Sequence, residues 1–343
     1  MASKANKPLR VTTDVDFTVD GKQFSYLNVP HSRNDSAWGS VRVPIVVVKN
    51  GEGSTVFFTG GNHGDEYEGP IALLKLARSL EASNITGRVI IMPTLNLPAV
   101  RAGTRLSPID GLNMNRVFPG VREGTVTQMI ADYVYSVILA HTDIVVDIHA
   151  GGKTMSLVPC AVMHQLDDKA LMDRTMAALL AFGAPLGLVL RELDSEGMLD
   201  IAVEDMGKVF ISTELGGGGT VTTHTMDIAD TGIRNILCHF GLIDEAVTTP
   251  QARRLPATRL MHTPDDGCFV IANESGLYEV LVDLGAEIEE GTPIGQIHFY
   301  ETPERAPSLY KARRTGMVVH RHVPGLIQVG DCLALIATDY EYS

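Results

Sequence analysis

The chain has 343 residues, of which 45% are hydrophobic and 20% are charged, and its formal net charge is −13. This composition supplies enough apolar residues for one large core and a smaller one, so two domains are expected. The acidic balance argues against a nucleic-acid partner, because phosphate backbones are bound by clustered Lys and Arg.

The sequence also indicates the cellular compartment in which the protein is expected to lie. No run of about 18 apolar residues is present that could span a bilayer, and the N-terminal segment lacks the apolar core of a signal peptide. The four cysteines are far apart and form no CxxC pair, which favours reduced thiols over a disulfide framework. We therefore expect a cytoplasmic protein with no membrane partner.

Short β-branched runs that end in glycine or polar residues predict the strands of the first two thirds of the chain. In chain order they are Ile45–Val48, Thr55–Thr59, Arg88–Pro93, Asp143–Ile148 and Val209–Thr213. Helical patterns lie between several of them, at Pro70–Leu80, Val126–Leu139 and Asp168–Phe182. Because strands and helices alternate, the sequence predicts an α/β fold with a mixed, mostly parallel sheet flanked by helices.

The apolar periodicity breaks at residues 244–259, where proline, threonine and arginine predict a linker. Beyond it, the stretches that begin at Ser275 and Thr315 share a spacing of glycine, strand, turn glycine and second strand, which is a weak internal repeat. The repeat resembles the halves of a lipoyl or biotinyl carrier, but the lysine that carriers modify is missing from its turns. We expect an α/β domain over residues 1–250 and a small all-β domain over residues 258–343.

Two histidines and a glutamate follow the ends of predicted strands. The strand STVFFT runs into GGNHGDEYEGP, which places His63 and Glu66 three residues apart at the mouth of a helix, and DIVVDIHAGG ends on His149. Such strand ends converge on one rim of an open α/β sheet. Two histidines and a carboxylate form the open shell of a catalytic zinc site. The sequence therefore predicts one zinc ion per chain, although cobalt and manganese can share these ligands.

Two further acidic residues lie at strand ends. Asp147 stands two residues before His149 and could orient that ligand from behind, or it could cap a turn. Glu214 stands one residue before four glycines, which allow close approach of the backbone to a ligand. A carboxylate there could take a proton from zinc-activated water and pass it to a departing amine. The alternative for Glu214 is a solvated surface residue.

The long loop between the first two metal-binding segments is rich in groups that bind anions. It carries Arg101, Arg105, Asn115 and Arg116. Guanidinium groups clamp carboxylates, and an arginine beside zinc stabilises the oxyanion of a tetrahedral intermediate. The sequence therefore predicts a substrate with an anionic group, the alternative being a solvated basic loop.

The segments GGNHGDEYEG, TRLSPIDGLNMNRVFPG, DIHAGG and STELGGGG, in this order, resemble the succinylglutamate desuccinylase and aspartoacylase family, relatives of the zinc carboxypeptidases. The resemblance covers nearly the whole chain, including the C-terminal β domain. It implies a zinc-dependent hydrolase that removes an acyl group from an N-acylated amino acid. In that family the ligands correspond to His63, Glu66 and His149.

The resemblance also implies roles for four other residues. Asn115 and Arg116 would grip the carboxylate of the amino acid, and Arg105 would polarise the scissile carbonyl. Glu214 would be the proton shuttle. The family also closes its site with an aromatic residue from the C-terminal domain, for which Tyr310 is a candidate.

Within the family, the fuller strings RAGTRLSPIDGLNMNR and EDMGKVFISTELGGGG are most similar to members that deacetylate N-α-acetyl-L-2,4-diaminobutyrate in ectoine breakdown. Aspartoacylase carries an arginine about ten positions before its catalytic glutamate, whereas this chain has Glu204 and Asp205 there. An acidic pair suits a cationic substrate side chain, so we take both as candidate substrate contacts. The alternative is an exposed acidic helix face.

Two other functions compete with this one. Activity on N-acetylaspartate or N-succinylglutamate would need a second cationic clamp, for which Arg191 is the nearest arginine. A non-catalytic binding or carrier protein would be favoured if the β repeat were the working part. The partner predicted in the first case is a small N-acylated amino acid, and a homo-oligomer is compatible with the sequence.

Overall fold

The computed structural model describes residues 8–191 and 193–342. The strands are β1 (Gly21–Pro30), β2 (Ser40–Asn50), β3 (Thr55–Gly60), β4 (Gly87–Met92), β5 (Ile144–His149), β6 (Met155–Leu157), β7 (Cys160–Met163), β8 (Leu186–Val189), β9 (Val209–Glu214), β10 (Arg259–His262), β11 (Phe269–Ile271), β12 (Gly276–Val280), β13 (Glu287–Ile288), β14 (Pro293–His298), β15 (Ser308–Lys311), β16 (Gly316–His322), β17 (Leu326–Ile327) and β18 (Cys332–Asp339). The helices are α1 (Glu68–Ser79), α2 (Leu97–Ala102), α3 (Val126–Tyr133), α4 (Lys169–Phe182), α5 (Leu199–Glu204) and α6 (Thr223–His239).

The chain forms two compact units, each assembled from segments that are distant in sequence. The first unit combines the segment up to residue 149 with residues 194–212 and 233–247, and the second combines residues 150–193, 213–232 and 248–343. This division differs from the expected one at residues 250–258. The reason is hydrogen bonding: β8 pairs with β10, and β6 pairs with β16, so residues 150–193 join the C-terminal segment.

The first unit contains a mixed sheet with the strand order β1-β2-β4-β3-β5. The pairs β1–β2 and β2–β4 are antiparallel, whereas β3 runs parallel to both β4 and β5. The interior strands β3 and β5 are fully buried, β4 is buried except at Arg88, and all three are rich in Val, Ile or Phe, as expected for strands that are covered on both faces. Because β3 and β5 are parallel neighbours, the residues that follow them emerge at the same edge.

Both ends of α2 are capped. The side chain of Asn96 accepts a hydrogen bond from the backbone N–H of Ala99 at the start of α2. Gly103 ends α2 in the left-handed conformation, with a φ of 60°, which glycine adopts without strain. The chain then enters the arginine-bearing loop directly.

The second unit contains mixed and antiparallel sheets. The strands β7, β8 and β10 are parallel, and β10 continues through the antiparallel order β18-β16-β13. A separate antiparallel sheet has the order β15-β14-β12-β17. The predicted fold class, α/β with a mixed sheet and C-terminal β structure, is confirmed. Among the described residues, no helix is both long and apolar enough to cross a membrane.

Candidate active site

The predicted metal ligands come together in the first unit. His63 and Glu66 lie in the loop between β3 and α1, and His149 is the last residue of β5. The Nδ1 atom of His63 is 2.7 Å from Oε1 of Glu66, and the Nδ1 atom of His149 is 2.8 Å from Oε2. One ligand atom from each residue lies within 4.8 Å of the other two. Glu66 thus bridges two imidazoles that both present Nδ1.

The register of the sheet explains this meeting. Gly60 of β3 is opposite Ile148 of β5, so the first turn after β3 emerges beside His149. A hydrogen bond joins this turn to the loop after α2: the N–H of Gly64 donates to the carbonyl of Thr104 at 2.9 Å. A Cβ on Gly64 would meet the backbone of Ala99 at 2.0 Å, so only glycine permits this packing.

The electrostatics of the cluster suit a cation. His63, Glu66 and His149 are only 4%, 2% and 7% exposed. Burial alone would raise the pKa of Glu66, but the two imidazoles bring that pKa below its usual value. Burial lowers the pKa of His149, yet Asp147 and Glu66 outweigh it and raise the pKa well above 6.5. Two buried carboxylates therefore require a nearby positive charge.

A metal ion fits this donor set. Two imidazole nitrogens and one carboxylate oxygen are the protein ligands of open catalytic zinc sites. Metal binding requires neutral imidazole, so a dication would replace the proton that the paired carboxylates hold on His149. The cluster of His63, Glu66 and His149 can therefore hold a metal ion through groups that the fold already aims at one another.

Behind the ligands lies a second set of contacts, part of which the sequence predicted. Asp147 is fully buried, and its Oδ2 lies 2.8 Å from Nε2 of His149, which is the contact expected of a carboxylate that orients this imidazole. Asn62 donates to the same Oδ2 at 2.9 Å. Nε2 of His63 is 3.2 Å from Oδ1 of Asn113. Sequence reasoning missed both asparagines.

Arg105 reaches the metal cluster. Its Nη1 atom lies 3.8 Å from Oε1 of Glu66, while 40% of its side chain is exposed. The contact follows from the hydrogen bond between Gly64 and Thr104, which brings the arginine loop against the metal-binding turn. A partly exposed guanidinium beside three buried ligands is suited to binding a developing negative charge.

Asn115 and Arg116 occupy a short 3-10 turn near the cluster. Asn115 is buried, and its Oδ1 accepts hydrogen bonds from the N–H of Leu199 at 2.9 Å and from Asn62 at 3.3 Å. Arg116 donates through Nη1 to the carbonyl of Asn115 at 2.7 Å and through Nε to Asp194 at 3.2 Å. Its side chain remains 32% exposed, so its guanidinium is accessible to an anion.

Glu204 and Asp205 lie at the C-terminal end of α5. The helix starts at Leu199, the residue bonded to Asn115, so Glu204 is about 7.5 Å farther along the axis at about 1.5 Å per residue. Asp205 is exposed. Asp200, in the first turn and only 7% exposed, is the acidic residue nearer to the Asn115 end. The proposed role of Glu204 and Asp205 stays a prediction.

Glu214 belongs to the second unit, where it ends β9. The glycines that follow it pack against backbone of their own unit: Gly216 accepts hydrogen bonds from Gly151 and Leu157, and a Cβ on Gly217 would meet the carbonyl of Met155 at 2.0 Å. The glycine run is therefore needed for packing. The catalytic role of Glu214 stays a prediction.

Tyr310 is also in the second unit. It is buried in the C-terminal β core, and its hydroxyl donates to Oδ1 of Asn273 and accepts from the N–H of Asn273. A ring that is buried in this core and hydrogen-bonded twice to Asn273 contributes to packing there. Its candidacy for closing the active site came from the resemblance alone.

Comparison with known proteins places this geometry in a family. Residues 52–240 match the succinylglutamate desuccinylase/aspartoacylase catalytic domain. The chain is 43% identical over 331 residues to N-alpha-acetyl-L-2,4-diaminobutyric acid deacetylase of Halomonas elongata. The alignment covers 96% of each protein.

Solved structures are similar to this chain over nearly its whole length. The product-bound ectoine utilization protein EutE (DoeB) from Ruegeria pomeroyi has 46% identity and a TM-score of 0.93, and the alignment covers 97% of this chain and 100% of that one. A succinylglutamate desuccinylase/aspartoacylase from Rhodobacter sphaeroides has 44% identity, a TM-score of 0.93 and the same coverage. These matches set aside the carrier alternative. The chain belongs to the succinylglutamate desuccinylase/aspartoacylase family and is a hydrolase of amide bonds.

Proposed function

We propose that this chain is a zinc-dependent deacetylase that converts N-α-acetyl-L-2,4-diaminobutyrate to acetate and L-2,4-diaminobutyrate. The observation that carries the proposal is the buried cluster of His63, Glu66 and His149 in a chain with 43% identity to the Halomonas deacetylase. Similarity to the ectoine utilization protein of Ruegeria supports a role in ectoine breakdown.

The metal centre would be held by His63, Glu66 and His149. When bound there, zinc supplies Lewis-acid chemistry, which polarises an amide carbonyl and lowers the pKa of water. Arg105 sits beside Glu66, where its guanidinium can stabilise negative charge on the carbonyl oxygen of the acetyl group. These residues together favour attack on the amide carbon.

Proton transfer is the part we assign to Glu214. Its carboxylate would take a proton from the attacking water as the new C–O bond forms. It would then give that proton to the nitrogen as the C–N bond breaks, so that the amine leaves in a stable form. The products are acetate and the free amino acid.

Substrate recognition would use the turn at Asn115 and Arg116. The α-carboxylate of the substrate would compete with Asp194 for the guanidinium of Arg116, which is partly exposed and can bind an anion. For the cationic side chain we propose two acidic contacts, Glu204 at the end of α5 and Asp205 directly after it. No arginine lies in α5 to attract a second carboxylate.

Metal depletion tests the proposal directly. Protein stripped of metal by a chelator should lose acetate release from N-α-acetyl-L-2,4-diaminobutyrate, and about one zinc ion per chain should restore it. His63→Ala should hold no stoichiometric zinc, because it removes one of three ligands. His298→Ala is the matched control, since His298 also pairs with a glutamate but lies on β14 with 45% of its side chain exposed.

Two results would contradict this function. Full activity in protein shown by elemental analysis to be free of metal would remove zinc from the reaction. Failure of zinc-loaded protein to release acetate from this substrate would remove the substrate assignment, while leaving the metal site to be judged by the zinc stoichiometry alone.

A further inference from the structure

A buried hydrogen-bond network lies behind the candidate metal ligands. Asn62 is at its centre and is only 1% exposed. Its Nδ2 donates to Oδ2 of Asp147 at 2.9 Å and to Oδ1 of Asn115 at 3.3 Å. Asn62 therefore connects the carboxylate that holds His149 with the turn that carries Arg116.

The same network fixes which nitrogen each histidine offers to a metal. Nε2 of His149 lies 2.8 Å from the Asp147 carboxylate, and Nε2 of His63 lies 3.2 Å from the amide oxygen of Asn113. Both partners are acceptors, and Glu66 is an acceptor at each Nδ1 atom as well. A metal bound at the Nδ1 atoms would take the place of a proton there, and the Nε2 atoms would keep their protons for Asp147 and Asn113.

Stability alone does not account for Asn62. Its Oδ1 atom is buried and has no hydrogen-bond partner among the residues that the structure describes. A buried amide with an unsatisfied oxygen costs free energy, and an apolar residue of the same shape would avoid that cost. The two donated hydrogen bonds are what an apolar residue could not supply.

We propose that Asn62 is a positioning residue that couples metal binding to binding of the substrate carboxylate. Through Asp147 it fixes the imidazole of His149, and through Asn115 it fixes the turn that presents Arg116. Because linked equilibria are reciprocal, ordering one end of this network favours binding at the other. The inference rests on the proposed function, which supplies the zinc ion and the carboxylate.

The substitution that tests the network is Asn62→Leu, which keeps the approximate shape and removes both donors. Zinc affinity, measured by competition with a chromophoric chelator, should fall by about 10- to 100-fold, the usual effect of losing a group that orients a metal ligand. At saturating zinc, the KM for N-α-acetyl-L-2,4-diaminobutyrate should rise at least about fivefold with a smaller change in kcat. A residue with a purely structural role would leave both quantities unchanged in the folded protein.

Asn235→Leu is the matched control, because Asn235 is also 1% exposed but lies on α6. It should lower the free energy of unfolding while zinc affinity and KM stay at wild-type values. A double-mutant cycle then tests whether Asn62 acts on zinc binding through Asp147. In an Asp147→Asn background, Asn62→Leu should have little further effect on zinc affinity. If Asn62→Leu does not fold, Asn62→Ser replaces it, since one hydroxyl proton cannot serve both acceptors.

Three results would overturn the inference. They are wild-type zinc affinity and KM in folded Asn62→Leu, the same pair of values in Asn62→Ser, and additive effects of Asn62→Leu and Asp147→Asn on zinc affinity. Failure of the proposed function would be seen elsewhere, in the unmodified protein, as absence of zinc binding or of acetate release.

Discussion

Glu66 is the residue around which the candidate site is organised. Its two oxygens contact different histidines, at 2.7 and 2.8 Å, and a guanidinium nitrogen of Arg105 lies 3.8 Å away. A carboxylate that is 2% exposed can be stabilised only by such partners. The charge balance of the site therefore depends on a cation at this position, either protons on the imidazoles or a metal.

Glu214→Gln separates the proposed proton shuttle from the metal centre. The amide cannot accept and return a proton, so turnover should fall by about two to four orders of magnitude, the usual contribution of a positioned acid–base group. Zinc content should stay at the wild-type value, because Glu214 is not a proposed ligand. Both are measured on one preparation, by acetate release and elemental analysis.

The control for this variant is Glu279→Gln, which alters an exposed glutamate that is bonded to Gln296 and His298. It should keep full turnover. Near-normal turnover in Glu214→Gln would assign the proton transfer to another group and leave Glu214 as a strand-end residue.

The sequence predicted that His63, Glu66 and His149 lie together, because they occur in short glycine-containing motifs that follow predicted strands. It could not predict Asn62 as a link, because Asn62 meets Asn115 and Asp147 only after folding, across 53 and 85 residues of sequence. The local signal was present as an asparagine directly before His63. A residue's position beside a ligand does not reveal its hydrogen-bond partners.

At the scale of elements, α1 is held unusually close to the strands that carry the ligands. A Cβ on Gly69 would meet the carbonyl oxygen of Ile148 at 2.4 Å and the Cα of Gly60 at 3.2 Å. The first turn of α1 thus rests on the ends of β3 and β5. This contact fixes the turn that holds His63 and Glu66 against His149.

Gly69→Ala should therefore disturb both the fold and the metal centre. The added methyl group collides with backbone, which cannot rotate away, so the free energy of unfolding should fall by about 1–3 kcal/mol. Zinc affinity should fall as well, because α1 must move away from β5. Urea unfolding and chelator competition measure the two effects.

Gly325→Ala is the comparison for this variant, since a Cβ at Gly325 meets no atom within 4 Å. Its unfolding free energy should stay within about 0.5 kcal/mol of the wild-type value. Equal unfolding midpoints and zinc affinities for the two variants would show that α1 does not depend on the glycine contact.

The strands and helices with a strong hydrophobic pattern were predicted correctly. Those whose pattern is weak, and whose structure depends on contacts elsewhere in the fold, were missed or given wrong ends. The runs of Thr55–Thr59 and Asp143–Ile148 are buried strands within one residue of the predicted bounds. The predicted helix Val126–Leu139 ends as an α-helix at Tyr133 and continues as a π-helical turn. Strand β1 was missed because its sequence, GKQFSYLNVP, mixes polar and apolar residues at the edge of the sheet.

At the scale of the molecule, the two compact units are interleaved in sequence. The candidate ligands His63, Glu66 and His149 belong to the first unit, and Glu214 belongs to the second. The linker predicted at residues 244–259 could not reveal this arrangement. The amino-acid composition of a segment indicates whether it is irregular, but it does not indicate which strands pair with one another. The pairing of β6 with β16 joins segments more than 150 residues apart.

The charge of the substrate tests the central claim most directly. Arg116 can bind one carboxylate, and helix α5 carries acidic residues and no arginine with which to bind a second one. The measurement is the ratio of kcat/KM for N-α-acetyl-L-2,4-diaminobutyrate to that for N-acetyl-L-aspartate on the zinc-loaded enzyme. We predict a ratio above about 100, because a mispaired charge in a binding site costs a few kcal/mol. A ratio of one or less would contradict the diaminobutyrate assignment.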